Sequence, residues 1–226
     1  MKKFMLCAFA ATLIVSCQNS ADNQEKSTGS SADNPDLTAY GIENSTHPKG
    51  LKIGDTVPDI AMQTSDLKEI TIKELYNDRP LVVIFYRGYW CPVCNKHLSE
   101  FAARAAEIEN AGARIIAVTP ESYDKADITI EKTGMDFTVI SDIDGSVMKA
   151  FDVQFDVTED YHTMIEDELN ASITETNASK SAVLPVPATF IIDTNGKVVY
   201  RQFNPDYKER ASIDDILNNL PLSEKE

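Results

Sequence analysis

Cysteine, histidine and tryptophan are scarce in this chain: four, three and one in 226 residues. Four sulfurs at Cys7, Cys17, Cys91 and Cys94 are too few and too scattered for a disulfide-stapled mini-domain. A tetrahedral zinc site on Cys91 and Cys94 would need two more ligands. His97 follows Cys94 by three positions, but there is no second Cys-x-x-Cys, and His47 and His162 lie in unrelated segments. Covalent haem would need histidine directly after Cys94, where Asn95 stands. No metal or other cofactor is therefore expected. Basic residues are also few: 21 Lys and Arg face 36 Asp and Glu, a formal net charge of −15. No Lys/Arg run offsets that balance, so nucleic acid is not an expected partner. Long apolar runs and internal repeats are absent as well. With 42% hydrophobic and 25% charged residues the composition is that of a globular protein, and the length suits one domain with an extension.

The extension is legible at the start. Lys2 and Lys3 precede an apolar run from Phe4 to Val15, too short to span a bilayer but suited to a signal peptide. The run ends at Ile14-Val15-Ser16-Cys17, which resembles a bacterial lipobox. That resemblance implies removal of residues 1–16, a lipid on Cys17, and attachment to a membrane of the bacterial envelope, facing the periplasm or in the outer membrane. Residues 17–50 are rich in Ser, Asn, Asp, Thr and Gly with almost no periodic apolar positions, so they are expected to form a disordered tether. The folded domain is expected over 51–226, its elements ending near Leu220.

Within the domain, short apolar runs alternate with helical periodicity. Leu81-Val82-Val83-Ile84-Phe85 reads as a strand buried on both faces. Leu98, Phe101, Ala102, Ala105 and Ile108 then form one helical stripe that stops at Gly112. His97 falls off that stripe and is expected to be exposed. Strands follow at 114–118 and 137–140 around a polar helix at 122–132. Residues 189–192 and 197–200 flank Asn195-Gly196, a hairpin turn pair. A last helix covers 213–220. The sum is an α/β domain with a central mixed sheet. Between Asp152 and Leu184 lies an acidic insertion with Tyr161, Met164 and Ile165 at helical spacing, expected as a helix over the sheet edge or the site mouth.

The chemistry sits where the first buried strand meets its helix, at Tyr86-Arg87-Gly88-Tyr89-Trp90-Cys91-Pro92-Val93-Cys94. A sulfur at a helix N-terminus is favoured as thiolate by unpaired N–H groups and the macrodipole. A second sulfur one turn on can attack whatever forms on the first. Cys91 is thus the expected nucleophile and Cys94 the resolving thiol. A purely structural disulfide closing so short a loop would stabilise little. Arg87 is either a cation for the thiolate or a solvated charge at a strand end. Tyr86, Tyr89 and Trp90 are expected to wall the site. Far along the chain, Pro187 opens a strand; a cis Val186–Pro187 bond would leave the Val186 backbone free for an incoming partner.

Five blocks in order, 54–59, 85–95, 141–145, 187–193 and 204–207, are similar to the AhpC/TSA (redoxin) peroxiredoxin-like family of thioredoxin fold. The resemblance implies a thiol peroxidase that reduces hydroperoxides through a Cys91 sulfenate resolved by Cys94, and is recharged by thioredoxin or another dithiol donor. It also implies that Pro187 is the cis proline beside the site, with the helical insertion ahead of its strand. Two positions depart from the pattern: Thr and Pro, three and seven residues before the family's cysteine, are Gly88 and Ile84 here. Trp90-Cys91-Pro92-Val93-Cys94 is also similar to membrane-tethered thiol–disulfide oxidoreductases of the TlpA/ResA kind, for which protein disulfides are the substrate. A lipid-anchored binding module with an incidental dithiol is the third reading; it requires that Cys91→Ser change nothing.

Overall fold

The computed structural model describes residues 36–64 and 68–221. The leader, Cys17 and the first part of the expected tether lie outside these residues. Along the chain a 3-10 turn at Thr38–Tyr40 leads to the hairpin β1 (Ala61–Gln63) and β2 (Glu69–Thr71), then α1 (Ile72–Tyr76) and β3 (Leu81–Phe85). Next come α2 (Pro92–Asn110), β4 (Arg114–Thr119), α3 (Tyr123–Thr133), β5 (Thr138–Ser141) and α4 (Ser146–Ala150). The insertion supplies β6 (Gln154–Asp156), α5 (Glu159–Leu169), α6 (Ile173–Thr176) and β7 (Val183–Pro185). Strands β8 (Ala188–Ile192) and β9 (Val198–Phe203) and helix α7 (Ile213–Asn219) complete it.

Five strands form the central sheet in the order β5-β4-β3-β8-β9. β3, β4 and β5 run parallel, and β8 and β9 are antiparallel, so the sheet is mixed as expected. Val82 pairs with Ile115 on one side and Ile191 on the other, which leaves every residue of β3 buried. Side-chain alternation sends Val82, Ile84, Ile115 and Ala117 to one layer, against Leu98, Phe101 and Ile108 of α2 and Ile213 and Ile216 of α7. Leu81, Val83, Phe85 and Ile116 face the other layer, against Ile72 and Leu75 of α1 and Val147 and Met148 of α4. Apolar residues on both faces of continuous strands thus build a helix–sheet–helix sandwich. The Asn195-Gly196 turn joins β8 to β9, with Gly196 at φ +78.

Two expectations about the chain's course need correction. Residues 36–50 are not a free tether. They lie as a strap along β6: Glu43 N–H donates to Asp156 O (2.9 Å), Thr158 N–H to Gly41 O (2.9 Å), and Ile42 is fully buried opposite Val157. One isoleucine and a row of main-chain hydrogen bonds hold the strap, and neither gives a periodic pattern. The backbone ahead of Pro187 is not free either. Val186 N–H donates to Val153 O (2.7 Å), and both Val186 and Pro187 are buried. The insertion begins and ends as the paired strands β6 and β7, which bring Val153 and Val186 together.

Candidate active site

Strand β3 delivers the chain to a tight turn that opens α2. Cys91 N–H donates to Gly88 O (3.0 Å), and Cys91 is the N-cap of the 19-residue α2 with Pro92 in its first turn. The Cys91 sulfur accepts the Cys94 backbone N–H at 3.2 Å, in the place where a helix cap usually presents oxygen. Cys91 and Cys94 are joined as a disulfide with Cα atoms 5.2 Å apart. Both are buried, at 0% and 1% exposure. Pro92 is exposed at the helix start.

Arg87 is no solvated charge. It is 4% exposed, and its Nη2 donates to Cys91 Sγ at 3.2 Å. Its Nη1 donates to the Tyr161 hydroxyl. The guanidinium carbon lies 4.0 Å from the Tyr207 ring centroid and 5.5 Å from that of Trp90, inside cation–π range. Among the described residues no carboxylate pairs with it. The cation is held by aromatic faces, a phenol and a sulfur, so little competes with Cys91 for its charge. Guanidinium and helix N-terminus together favour Cys91 as thiolate once the disulfide is reduced.

Behind the turn lies a buried acid. Glu121 is fully buried and accepts from Tyr89 N–H (2.8 Å) and from the hydroxyls of Thr129 (3.0 Å) and Thr119 (3.4 Å). Burial pushes its pKa up to about 7 against those hydrogen bonds. Tyr86 lies beside this acid and in the same core layer as the sulfurs. Burial, helped by the Glu121 charge, pushes its phenol well above the ordinary range. Gly88 explains one departure from the family pattern: a Cβ there would stand 2.6 Å from Trp90 Nε1 and 3.0 Å from Glu121 Oε1. A threonine at 88 has no room while Trp90 and Glu121 hold these positions.

The loop between β9 and α7 covers the second sulfur. Arg210 Nη2 lies 3.6 Å from Cys94 Sγ, and its Nε donates to Tyr207 O (2.7 Å). Burial, and after it the Arg87 charge, push its pKa down to about 9, so it remains a cation at neutral pH. His97, expected at the surface, is 6% exposed; its Nε2 meets Ala211 O at 2.9 Å and its ring packs edge-on against Phe101 at 4.8 Å. Burial lowers its pKa to about 4, so the ring is neutral and donates to the carbonyl. No group of three or more metal-ligating side chains converges among the described residues.

The structure thus gathers Cys91, Cys94, Arg87 and Trp90 at one point and places Val186 in the same core layer. Sequence reasoning named Tyr161 on the insertion and had Tyr207 inside a family block without giving either a role at the sulfurs, and it missed Arg210 and Glu121. Glu121 follows the C-terminal end of β4, beside the turn after β3.

Residues 53–201 match the model of the AhpC/TSA family. A chloroplastic peroxiredoxin Q of Sedum lineare is 24% identical over 178 residues, 79% of this chain and 82% of that protein. The solved Peroxidoxin BcpB from Mycobacterium tuberculosis is similar with a TM-score of 0.57 and 23% identity, over 75% of this chain and 96% of that one. A peroxiredoxin-like protein from Aquifex aeolicus gives 0.58 and 24%, over 75% and 86%. At these identities the structural likeness is one of fold.

Proposed function

Because the chain belongs to the AhpC/TSA family, we propose that it is a thiol peroxidase acting on hydroperoxides through Cys91. The observation that carries the reading is the Arg87 guanidinium on Cys91 Sγ at the N-terminus of α2. The Cys91 thiolate attacks the terminal oxygen of the hydroperoxide. The O–O bond breaks, the departing oxygen takes a proton and leaves as water or alcohol, and Cys91 becomes a sulfenic acid. Cys94 then attacks the sulfenic sulfur, the S–S bond forms, and water leaves. A dithiol donor, thioredoxin or a similar protein, restores both thiols by exchange. We further propose, from Lys2, Lys3, the Phe4–Val15 run and Ser16-Cys17, that a lipid on Cys17 attaches the protein to the bacterial envelope.

The test follows Trp90, the single tryptophan, by stopped-flow fluorescence as the reduced protein meets hydrogen peroxide or a model protein disulfide. Peroxide should be consumed far faster than by a free thiol at matched pH, and Cys91→Ser should abolish the reaction. Peroxide rates no better than a free thiol, with fast exchange against the disulfide, would sink the peroxidase reading.

A further inference from the structure

Each sulfur has its own guanidinium. Arg87 reaches Cys91 from four residues away, whereas Arg210 reaches Cys94 across 116 residues of sequence, from the loop between β9 and α7. The placement of Arg210 is fixed from two sides. Its Nε donates to Tyr207 O within the loop, and the next residue, Ala211, is tied through its carbonyl to His97. His97 stands on α2 one turn beyond Cys94, so sulfur and guanidinium are referenced to the same helix.

Without a cation, Cys94 would be a poor nucleophile. It is 1% exposed, and a thiol buried among apolar groups is held neutral. Its position one turn into the helix also denies it the capping N–H that Cys91 accepts. Cys91 and Arg210 meet Cys94 directly; the charged and titratable groups packed on these two and their neighbours are Arg87 from the turn after β3, His97 from α2, Tyr161 from α5, and Asp206 and Tyr207 from the covering loop. Arg87 is engaged by Cys91 and Tyr161, and the neutral His97 by Ala211. Arg210 is the cation left for Cys94.

We propose that Arg210 is a catalytic residue of the second half of the cycle: it keeps Cys94 ionised, and so ready to attack the sulfenic acid on Cys91. In that step the Cys94 thiolate attacks the Cys91 sulfur, the S–S bond forms and the S–O bond breaks. The leaving hydroxide takes up the proton that Cys94 lost on ionising, and departs as water. The oxidising equivalents are those delivered by the hydroperoxide, so the inference rests on the peroxidase reading for its place in a cycle.

Ionisation of Cys94 can be read with no peroxide present. Titrating the thiolate ultraviolet absorbance of Cys91→Ser protein gives the Cys94 midpoint. Arg210→Gln in that background should raise it by about one unit, roughly a tenfold loss of thiolate below the midpoint. Arg210→Lys should raise it less. Asp206→Asn removes the carboxylate that opposes the Arg210 charge, and should move the midpoint the other way. In protein with both cysteines, Arg210→Gln should lower the ratio of the second to the first fluorescence phase about tenfold below the Cys94 midpoint, with the deficit closing at higher pH. A merely structural role would slow both phases together at every pH. An unmoved midpoint in the Gln variant overturns the proposal. If that variant does not fold, an Asp206→Asn midpoint that stays put or rises does the same. Failure of the protein to consume peroxide while these midpoints shift would remove the peroxidase reading and leave the Arg210–Cys94 coupling standing.

Discussion

Glu121 and His97, two of the side chains near the site whose titration burial shifts, pull stability in opposite directions. Glu121 is raised from 4.5 to about 7 because burial disfavours its charge. The folded state therefore holds a proton that the unfolded chain has lost, and the stabilisation present below 4.5 is lost as pH rises through 7. His97 is lowered from 6.5 to about 4, also by burial. Its contribution is complete above 6.5 and is lost as pH falls toward 4. Between 4.5 and 6.5 the two slopes oppose each other, so these groups should leave the oxidised protein nearly flat there. Glu121→Gln keeps an oxygen for Tyr89 N–H and removes the titration. Urea unfolding at about pH 5 and about pH 8 should show the variant gaining on the parent by about 3 kcal/mol toward the alkaline end. Its own curve should then fall on the acid side as His97 is unmasked. A parent-to-variant difference independent of pH would mean that Glu121 does not titrate in this range.

At the scale of elements, the strap at residues 36–50 reaches the site through two others. It pairs with β6, and Gly41 lies so close to Tyr161 that a Cβ there would come within 2.3 Å of the ring. Tyr161, on α5, in turn meets Arg87, which meets Cys91. A chain beginning at residue 51 loses the burial of Ile42, worth about 2 kcal/mol, and three main-chain bonds, to Gly41 O and from Glu43 and Gly50, at about 1 kcal/mol each. Compared with a chain beginning at residue 36, it should unfold about 3–5 kcal/mol more easily and react more slowly with peroxide, as Tyr161 loses the packing of Gly41 on its ring and holds Arg87 less firmly. Equal urea midpoints would show that the strap is ornament. The sequence was readable where burial leaves a period. β3 is a five-residue apolar run, and the α2 stripe and the Asn195-Gly196 turn stand close to where their spacing puts them. It was unreadable where long-range pairing decides. The strap has little apolar content, and His97 sits on the buried stripe at 94, 97, 98, 101, 105 and 108 although its polar label argues otherwise. Tyr161 and Arg210 are brought in by an insertion and a loop whose local patterns say nothing of sulfur.

For the whole molecule, the net charge and the charge at the sulfurs have opposite signs. The chain carries a formal −15, yet each sulfur is met by a guanidinium ion, the buried Arg87 and the half-buried Arg210. Acidic residues such as Asp156, Glu159, Asp160, Glu166, Asp167 and Glu168 are exposed on the insertion, and of these Glu166 lies 3.5 Å from His162 Nε2. No helix of the described residues is long and apolar enough to cross a membrane. The attachment proposed here is by lipid at Cys17. An acidic domain on a lipid anchor is pulled to the bilayer by acyl chains and pushed from it by anionic headgroups. In bacteria making the full chain, the protein should incorporate labelled palmitate and sediment with membranes, and Cys17→Ser should abolish both. The purified lipid-bearing protein should bind neutral vesicles about equally at all salt concentrations. It should bind anionic vesicles less well at low salt, with the gap closing above about 0.1 M, where the screening length falls to roughly 10 Å. Membrane sedimentation that survives Cys17→Ser would remove the anchor. Tighter binding to anionic vesicles at low salt would mean that a local basic surface, not the net charge, governs how the domain meets the bilayer.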